Sequence, residues 1–320
     1  MIGFPPPKEL KQAYTLCESI MKAKAKSFYQ AFKGLPKQRF LAVASIYAFN
    51  RYADDLVDNV SQTNLKDALK QLDVLEDNLR KIKTIEDYHD FDESIRLLPW
   101  WAAFVETVLT HHISVNACRY QLAGQRFDAT FPGIQTIDDL VDYAKKVAGS
   151  VGLMLLPLLV KDAKLLEDVR FLEAAEKLGV AMQITNILRD IGEDYRTRQR
   201  IYLPKDLLIK YGVSEKDIKA WSESKDAPIV SQNMIDVWES LSDFADQNYQ
   251  AYVSYVHYFH PKAKLPLIAA AAIYQAIANA VRKAEYNAFT QRCYTSKEER
   301  DKMIKVIMKN KIYQHLHKGT

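Results

Sequence analysis

The sequence predicts an all-α protein, and three observations predict it. No segment sustains the two-residue alternation of a half-buried strand. Apolar residues recur instead at helical spacing, most cleanly at Leu65, Ala68, Leu69, Leu72, Leu75, Leu79 and Ile82. The composition is 48% hydrophobic with only 10 Gly and 11 Pro among 320 residues, which suits a well-cored chain of helices and not a disordered one. No internal repeat or low-complexity tract marks a boundary, so residues 1–320 are expected to form a single domain.

Glu9 to Phe32 has helical composition and stops at Gly34 and Pro36. Lys37 to Asn59 is apolar nearly all round, at Phe40, Leu41, Val43, Ile46 and Phe49, and a helix of that kind belongs in an interior. The stripe beginning at Leu65 marks an amphipathic outer helix, and Thr84 to Phe91 a polar loop. Helical patterns resume at Glu93 to His112, Asn116 to Phe127 and Thr136 to Val147, with the FPG of 131–133 as a turn. Gly149, Gly152 and Pro157 then punctuate an apolar segment, predicting a kinked or broken helix. A helix through Leu178 to Ile191 leads into a charged loop from Arg196 to Pro204. Helices near Met234 to His257, Leu265 to Phe289 and Ser296 to about His315 complete the chain, with a polar connection at Ser222 to Asn233.

The net charge of +4 comes from 44 basic and 40 acidic residues spread along the chain, without the dense basic face of a nucleic-acid binder. Cys17, Cys118 and Cys293 are far apart and form no CxxC pair, so they read as reduced, cytosolic thiols. The start, MIGFPPPKELKQ, lacks the basic and apolar regions of a secretory signal. Of the longest uncharged runs, Val147 to Val160 is short of the ~20 residues that span a bilayer, and Leu265 to Val281 is interrupted by Gln275 and Asn279. No membrane-spanning segment is expected, and the protein is expected in the cytoplasm.

The stretch with the most chemistry is LGVAMQITNILRDIGEDYRTRQRIYLP at 178–204. Gln183, Asn186, Asp190 and Asp194 fall within about 80° of one another on a helix, a polar stripe on otherwise apolar faces. Carboxylates there are costly to bury without a cation, so a metal ion or a basic ligand is implied. A pair of aspartates four apart carries little alone, since Asp73 and Asp77 have that spacing at the solvated edge of an outer helix. The pentapeptide DDLVD occurs twice, at 54–58 and 138–142. Thr136 is an N-cap for the second copy, whose acids then lie in a first turn where the helix dipole favours them. In the first copy Tyr47, Arg51, Asp54 and Asp58 share a face within about 60°, at a helix C-terminus where acids are disfavoured. A local network of Arg51 with Asp54 and Asp55 explains that face as well as a bound cation does.

Two carboxylate-bearing helices together suit Mg2+, a hard cation that takes oxygen ligands and often binds carboxylates and substrate phosphates at once. Two facing pairs would make a multi-Mg2+ diphosphate site, with Arg51, Arg189, Arg200 and Arg282 as candidate guanidinium partners. His111-His112 and the scattered cysteines lack transition-metal spacing.

The run Leu178-Gly179, Gln183, Asn186-Ile187, Arg189-Asp190, Asp194, Arg200, Tyr202, Pro204 resembles the long signature of squalene and phytoene synthases, the head-to-head (1'-1) prenyl-diphosphate synthases. YAKKVAGSVGLMLLPLL at 143–159 is similar to a second signature, and SIYAFNRYADDLVD at 45–58 to the first aspartate-rich region. Ser27 and Phe28 in KSFYQAF look like the N-terminal substrate-contacting stretch, and Tyr274 and Arg282 lie where the family has a late tyrosine and arginine. The resemblance covers about residues 14–290 and is closest in character to bacterial dehydrosqualene and phytoene synthases. Ser150 departs from the aliphatic or Ala residue usual before Val151. DDLVD also fits the DDxxD of head-to-tail synthases and terpene cyclases, but no RRG follows Asp58, and NILRDIGED lacks the hydroxyl-bearing triad of cyclases.

The resemblance implies an isoprenoid-synthase-type helical bundle around a central cavity. It implies two or three Mg2+ ions held by Asp54 and Asp58 and by Asn186, Asp190 and Asp194, with Tyr143 a further catalytic residue. Substrate contacts would come from Ser27, Phe28, Tyr47, Arg51, Gln183, Asn186, Arg189, Tyr274 and Arg282. Two prenyl diphosphates would condense through a cyclopropylcarbinyl diphosphate. Loss of a proton then gives dehydrosqualene or phytoene, and hydride from NADPH gives squalene. No GxGxxG is present, although squalene synthases bind NADPH without one, and the membrane anchor of eukaryotic squalene synthases is missing; the reductant-free carotenoid branch is expected. Phe32 on the first helix favours a farnesyl (C15) substrate, whereas Ala44 and Ser45 leave space for geranylgeranyl (C20); farnesyl diphosphate is the expectation. The same metal site would serve a diphosphatase that lets water quench the cation, with a prenyl alcohol as product. Intact motifs argue against an inactive subunit. The basic tail helix, with Arg300, Lys302, Lys305, Lys309 and Lys311, is a solvated face or a transient contact with a membrane surface, given the apolar product. Absence of liposome binding, with or without that tail, would count against the contact.

Overall fold

Helix follows helix throughout, and among the described residues the only β pairing is an isolated antiparallel bridge between Val160 and Phe259. The computed structural model describes residues 5–58, 64–84 and 86–309, apart from the side chain of Ser27. The first helices are α1 (Pro7–Lys24), α2 (Lys26–Phe32), α3 (Lys37–Val57), α4 (Leu65–Lys81), α5 (Glu93–Arg96), α6 (Trp101–Thr110) and α7 (Val115–Thr130). They are followed by α8 (Ile137–Ala144), α9 (Ser150–Leu159), α10 (Val169–Arg198), α11 (Lys205–Lys210) and α12 (Glu215–Ser222). The last are α13 (Gln232–Gln250), α14 (Pro261–Lys283) and α15 (Lys297–Lys309). The chain forms two compact units, one of residues 1–130, 150–168 and 258–263 and the other of 131–149, 169–257 and 264–320.

The first unit is built on α3, which packs on α1, α6 and α7. Val43, Ala44, Phe49 and Ala53 are fully buried, as the all-round apolar pattern requires, and the Phe49 ring stacks on Phe104 at 4.6 Å. The helix expected over 9–32 breaks at Ala25, whose φ and ψ of −139° and 66° leave the helical region, and the new direction lays Phe28 and Phe32 against each other at 4.6 Å. The helix expected over 93–112 is two, because Pro99 removes a backbone donor and restricts Leu98.

The second unit is built on α10, thirty residues long, which packs on α8, α12, α13 and a π turn at Lys145–Gly149. That turn leads into α9 without a non-helical residue, so the segment expected to kink or break begins with a π turn instead, and Pro157 is accommodated inside α9. The second DDLVD copy is capped as expected: Thr136 Oγ1 accepts from the Asp139 N–H (3.1 Å) and the Asp139 carboxylate accepts from the Thr136 N–H (2.9 Å). Two glycines allow backbone-to-backbone approach. A Cβ on Gly179 would lie 2.7 Å from the Ala148 carbonyl oxygen, and one on Gly192 would lie 1.7 Å from that of Phe289. The 287–290 segment thus crosses α10 directly at Gly192, whose N–H donates to the Ala288 carbonyl at 3.0 Å.

By length and composition α14 is the one described helix apolar enough to cross a membrane. It is tied to α13 by polar bonds, Gln275 to Asp246 (2.8 Å) and Arg282 to Glu239 (2.7 and 2.6 Å). No residue of α15 is buried, and Val306 and Met308 are half-exposed or more. Lys311 of the basic tail lies outside the described residues. All three cysteines are free and buried.

Candidate active site

In the first unit, one turn-by-turn stripe of α3 gathers Tyr47, Arg51, Asp54 and Asp58. The Arg51 guanidinium bonds the exposed Asp55 and lies 3.6 Å from Asp58. The local network is therefore Arg51 with Asp55 and Asp58, and Asp54 stands outside it: among the described residues none hydrogen-bonds its carboxyl group. Burial, then the Asp58 charge, push the Asp54 pKa up to about 7, against the opposing pull of Arg51. Phe28 lies 5.8 Å from Tyr47, ring to ring, so Tyr47, Phe28 and Phe32 form a continuous aromatic run beside the acids. Ser45 points the other way. About 160° round the helix from Tyr47, its hydroxyl lies 2.8 Å from Thr107 Oγ1, so of the two small residues only Ala44 is on the acid side.

A carboxyl group with a raised native pKa binds its proton more tightly folded than unfolded, so its contribution to stability falls as pH rises from about 4 to about 7. Asp54→Asn should therefore match the wild type in stability near pH 4. In EDTA at pH 8 it should be more stable by up to about 4 kcal/mol, each of about three pKa units being worth about 1.4 kcal/mol. Urea melts at the two pH values check this; equal differences at both would show that Asp54 is not held protonated.

The α7 helix adds residues that the sequence reading passed over. Gln121, Gln125 and Asp128 are spaced i, i+4, i+7, and that polar stripe on a helix was the available signal. Gln121 is 2% and Gln125 4% exposed, Gln121 Oε1 has no hydrogen-bond partner among the described residues, and the Asp128 charge acts on Asp54.

In the second unit, α10 places Asn186, Asp190 and Asp194 on successive turns. Asp190 is held by two guanidiniums. Arg189, itself 8% exposed, donates to it at 2.7 and 2.5 Å, and Arg292 donates at 3.0 Å and pairs through Nε at 2.9 Å. Burial disfavours the Arg189 charge, but Asp190 outweighs it and holds the pKa above its ordinary value. Both guanidiniums lie over the Tyr294 ring, at 5.9 and 5.6 Å from its centre. Arg292 and Tyr294 were not found from sequence, and nothing local to them signals the role. Asp194 pairs with Arg198 at 3.5 Å. Tyr274 lies near Arg189. Gln183 is half-buried on the same helix.

Tyr143 is buried and stacks on Tyr202 at 5.1 Å, beside Phe131 and with Arg200 donating to the Tyr202 hydroxyl at 3.2 Å. Arg282 is committed elsewhere: its fork grips Glu239, donates to Ser242 at 3.1 Å and covers the Trp238 ring. The Ser27 side chain lies outside the described residues.

The donors fit a hard divalent cation. Asn186 Oδ1 is buried and among the described residues has no hydrogen-bond partner, a carbonyl oxygen desolvated at a cost that a cation would offset, one and two turns from carboxylates. Among the described residues no three His, Cys, Asp or Glu side chains converge as ligands; Asp55, Asp58, Asp190 and Asp194 are turned towards arginines.

The family described as squalene/phytoene synthase matches residues 21–299. The 4,4'-diapophytoene synthase of Staphylococcus haemolyticus (strain JCSC1435) is 32% identical over 311 residues, covering 97% of this chain and 98% of that protein. Phytoene synthase 2, chloroplastic, of Solanum lycopersicum is 30% identical over 293 residues, 91% of this chain and 88% of that one. A crystal structure of a dehydrosqualene synthase in complex with ligand superposes with a TM-score of 0.76 at 35% identity, covering 95% of this chain and 98% of that one. The all-helical architecture is thus of the isoprenoid-synthase type. With both acid-bearing helices inside the matched region, the chain belongs to the squalene/phytoene synthase family of enzymes, the transferases that join two prenyl groups head to head.

Proposed function

We propose that the chain condenses two farnesyl diphosphates to dehydrosqualene (4,4'-diapophytoene) for carotenoid synthesis. The observation that carries the chain length is the aromatic run Tyr47, Phe28, Phe32, which starts beside the carboxylates of α3 and ends on a Phe32 that is 7% exposed. In this reading residues 1–320 act as one catalytic domain, since the family match runs through both units.

Asp54 and Asp58 would hold Mg2+ in the first unit, and Asn186, Asp190 and Asp194 in the second. When bound, Mg2+ supplies electrostatic stabilisation of the departing diphosphate. The protein's own groups do the rest. Arg51 and Arg189 offer forked donors to phosphate oxygens. Tyr47 and Phe28 offer ring faces to an allylic cation and, with Phe32, exclude water from it. Tyr143 is held against Tyr202 with its hydroxyl as a polar group of the site. The cation would add to the second substrate's double bond, and loss of a proton from the resulting cation would close the ring of the cyclopropylcarbinyl diphosphate. A second ionisation and rearrangement, ended by loss of a proton, give the triene.

Ala44, fully buried on the acid side of α3, favours a second reading in which the substrate is geranylgeranyl diphosphate and the product phytoene. Purified protein with Mg2+ and radiolabelled farnesyl or geranylgeranyl diphosphate, with and without NADPH, decides between them. A C30 hydrocarbon formed without NADPH is expected. A C40 product would establish the phytoene reading, squalene formed only with NADPH would move the enzyme to the reductive branch, and free prenyl alcohol alone would make it a diphosphatase. The exposed α15, with Lys302, Lys305 and Lys309 among Met303, Ile304 and Ile307, is the surface we assign to transient membrane contact, tested by flotation with anionic liposomes.

A further inference from the structure

We propose that Arg292 is a built-in counter-ion that occupies Asp190 in the metal-free protein and gives way when a divalent cation and a diphosphate arrive, so that the two bind as a pair. The inference rests on the assignment of Asn186, Asp190 and Asp194 as metal ligands. Oδ1 accepts from Arg189 Nε (2.7 Å), and Oδ2 accepts from Arg189 Nη2 (2.5 Å) and Arg292 Nη2 (3.0 Å), while Arg292 Nε lies 2.9 Å from Oδ1 as an ion pair. Guanidiniums thus cover both oxygens of a carboxylate with about four lone-pair sites, and a cation that takes both oxygens displaces one of them.

The two arginines are not equally free to leave. Arg189 is adjacent on α10 and its side chain is 9% exposed, whereas the Arg292 side chain is 39% exposed and rests on an exposed Tyr294. The second partner of Arg292, Glu193 at 3.4 Å, keeps the displaced side chain nearby. Charge favours paired arrival. Asp190, Glu193 and Asp194 are balanced by Arg189, Arg198 and Arg292. A divalent cation alone would leave that balance positive, and the negative charge of a diphosphate offsets the excess. A freed guanidinium also has the fork geometry that phosphate oxygens accept.

The test is Mn2+ binding to the full chain by electron paramagnetic resonance, with and without inorganic diphosphate, the Asp190 site being the part of the signal lost in Asp190→Asn. Wild type should bind Mn2+ weakly alone and about tenfold more tightly with diphosphate, a difference of about 1.4 kcal/mol. Arg292→Gln should bind Mn2+ alone about tenfold more tightly than wild type, and diphosphate should then add little. Arg292→Lys, which keeps the charge without the fork, should fall between and serves if the Gln variant does not fold. Unchanged or weaker Mn2+ affinity in folded Arg292 variants would overturn the exchange alone. No Asp190-dependent signal in wild type even with diphosphate would overturn the ligand assignment, and the exchange with it.

Discussion

Asp190→Asn is expected to lower turnover about a thousandfold, the scale on which loss of one group stabilising transition-state charge is felt. An amide supplies one neutral oxygen where the carboxylate supplied two charged ones, so a cation at Asn186 and Asp194 would be held less firmly and the departing diphosphate less well stabilised. A second effect goes in the same direction. Arg189 is 8% exposed, and removing the charge it bonds leaves a nearly buried guanidinium undercompensated, which costs about 3 kcal/mol when a buried pair is broken. Activity and urea stability must therefore be measured on the same preparation. Asp73→Asn is the matched control: it has the same four-residue spacing to another aspartate, but its side chain is 66% exposed and pairs with Arg126 at 2.8 Å. Turnover in Asp190→Asn within tenfold of the Asp73→Asn control would remove Asp190 from the site.

Gly192→Ala should be the most damaging single methyl in the second unit. The added Cβ would sit 1.7 Å from the Phe289 oxygen and 2.5 Å from its Cα, and both obstacles are backbone. The crossing segment cannot swing aside freely, because the Phe289 carbonyl also accepts from Arg196, which in turn donates to the Ser222 carbonyl at 2.9 Å. Overpacking of this kind costs about 3 kcal/mol. Any relief comes from moving the 287–290 segment, and that carries Arg292 off Asp190. The variant should therefore lose both stability and the Arg292 contact, whereas Gly34→Ala, with nothing within 4 Å of the new Cβ, should leave stability nearly unchanged. Chemical denaturation of the two variants checks this, and equal midpoints would mean that the crossing yields without strain.

The elements that the sequence places well are those whose signal is local. The α3 stripe, the α4 stripe and the Asn186, Asp190, Asp194 series follow from counting residues around a helix. The Thr136 cap separates the structural DDLVD copy from the other because an N-cap is a three-residue pattern. The α7 stripe of Gln121, Gln125 and Asp128 is equally local. Its meaning is not, because nothing in the sequence says that α7 packs on α3, where the Asp128 charge reaches Asp54.

By itself, then, the sequence determined the helical class, the two acid-bearing helices and the family, all of which reside in short-range periodicity and fixed spacing. Tertiary structure alone decided which charges meet. Asp190 is bound by Arg292 from 102 residues away, Arg282 is spent on Glu239, and Asp54 is left outside the Arg51 network. The physical reason is that a guanidinium finds its carboxylate through backbone packing, here the crossing of 287–290 over a glycine that has no side chain to hold it off. Residue type and spacing carry no record of that approach.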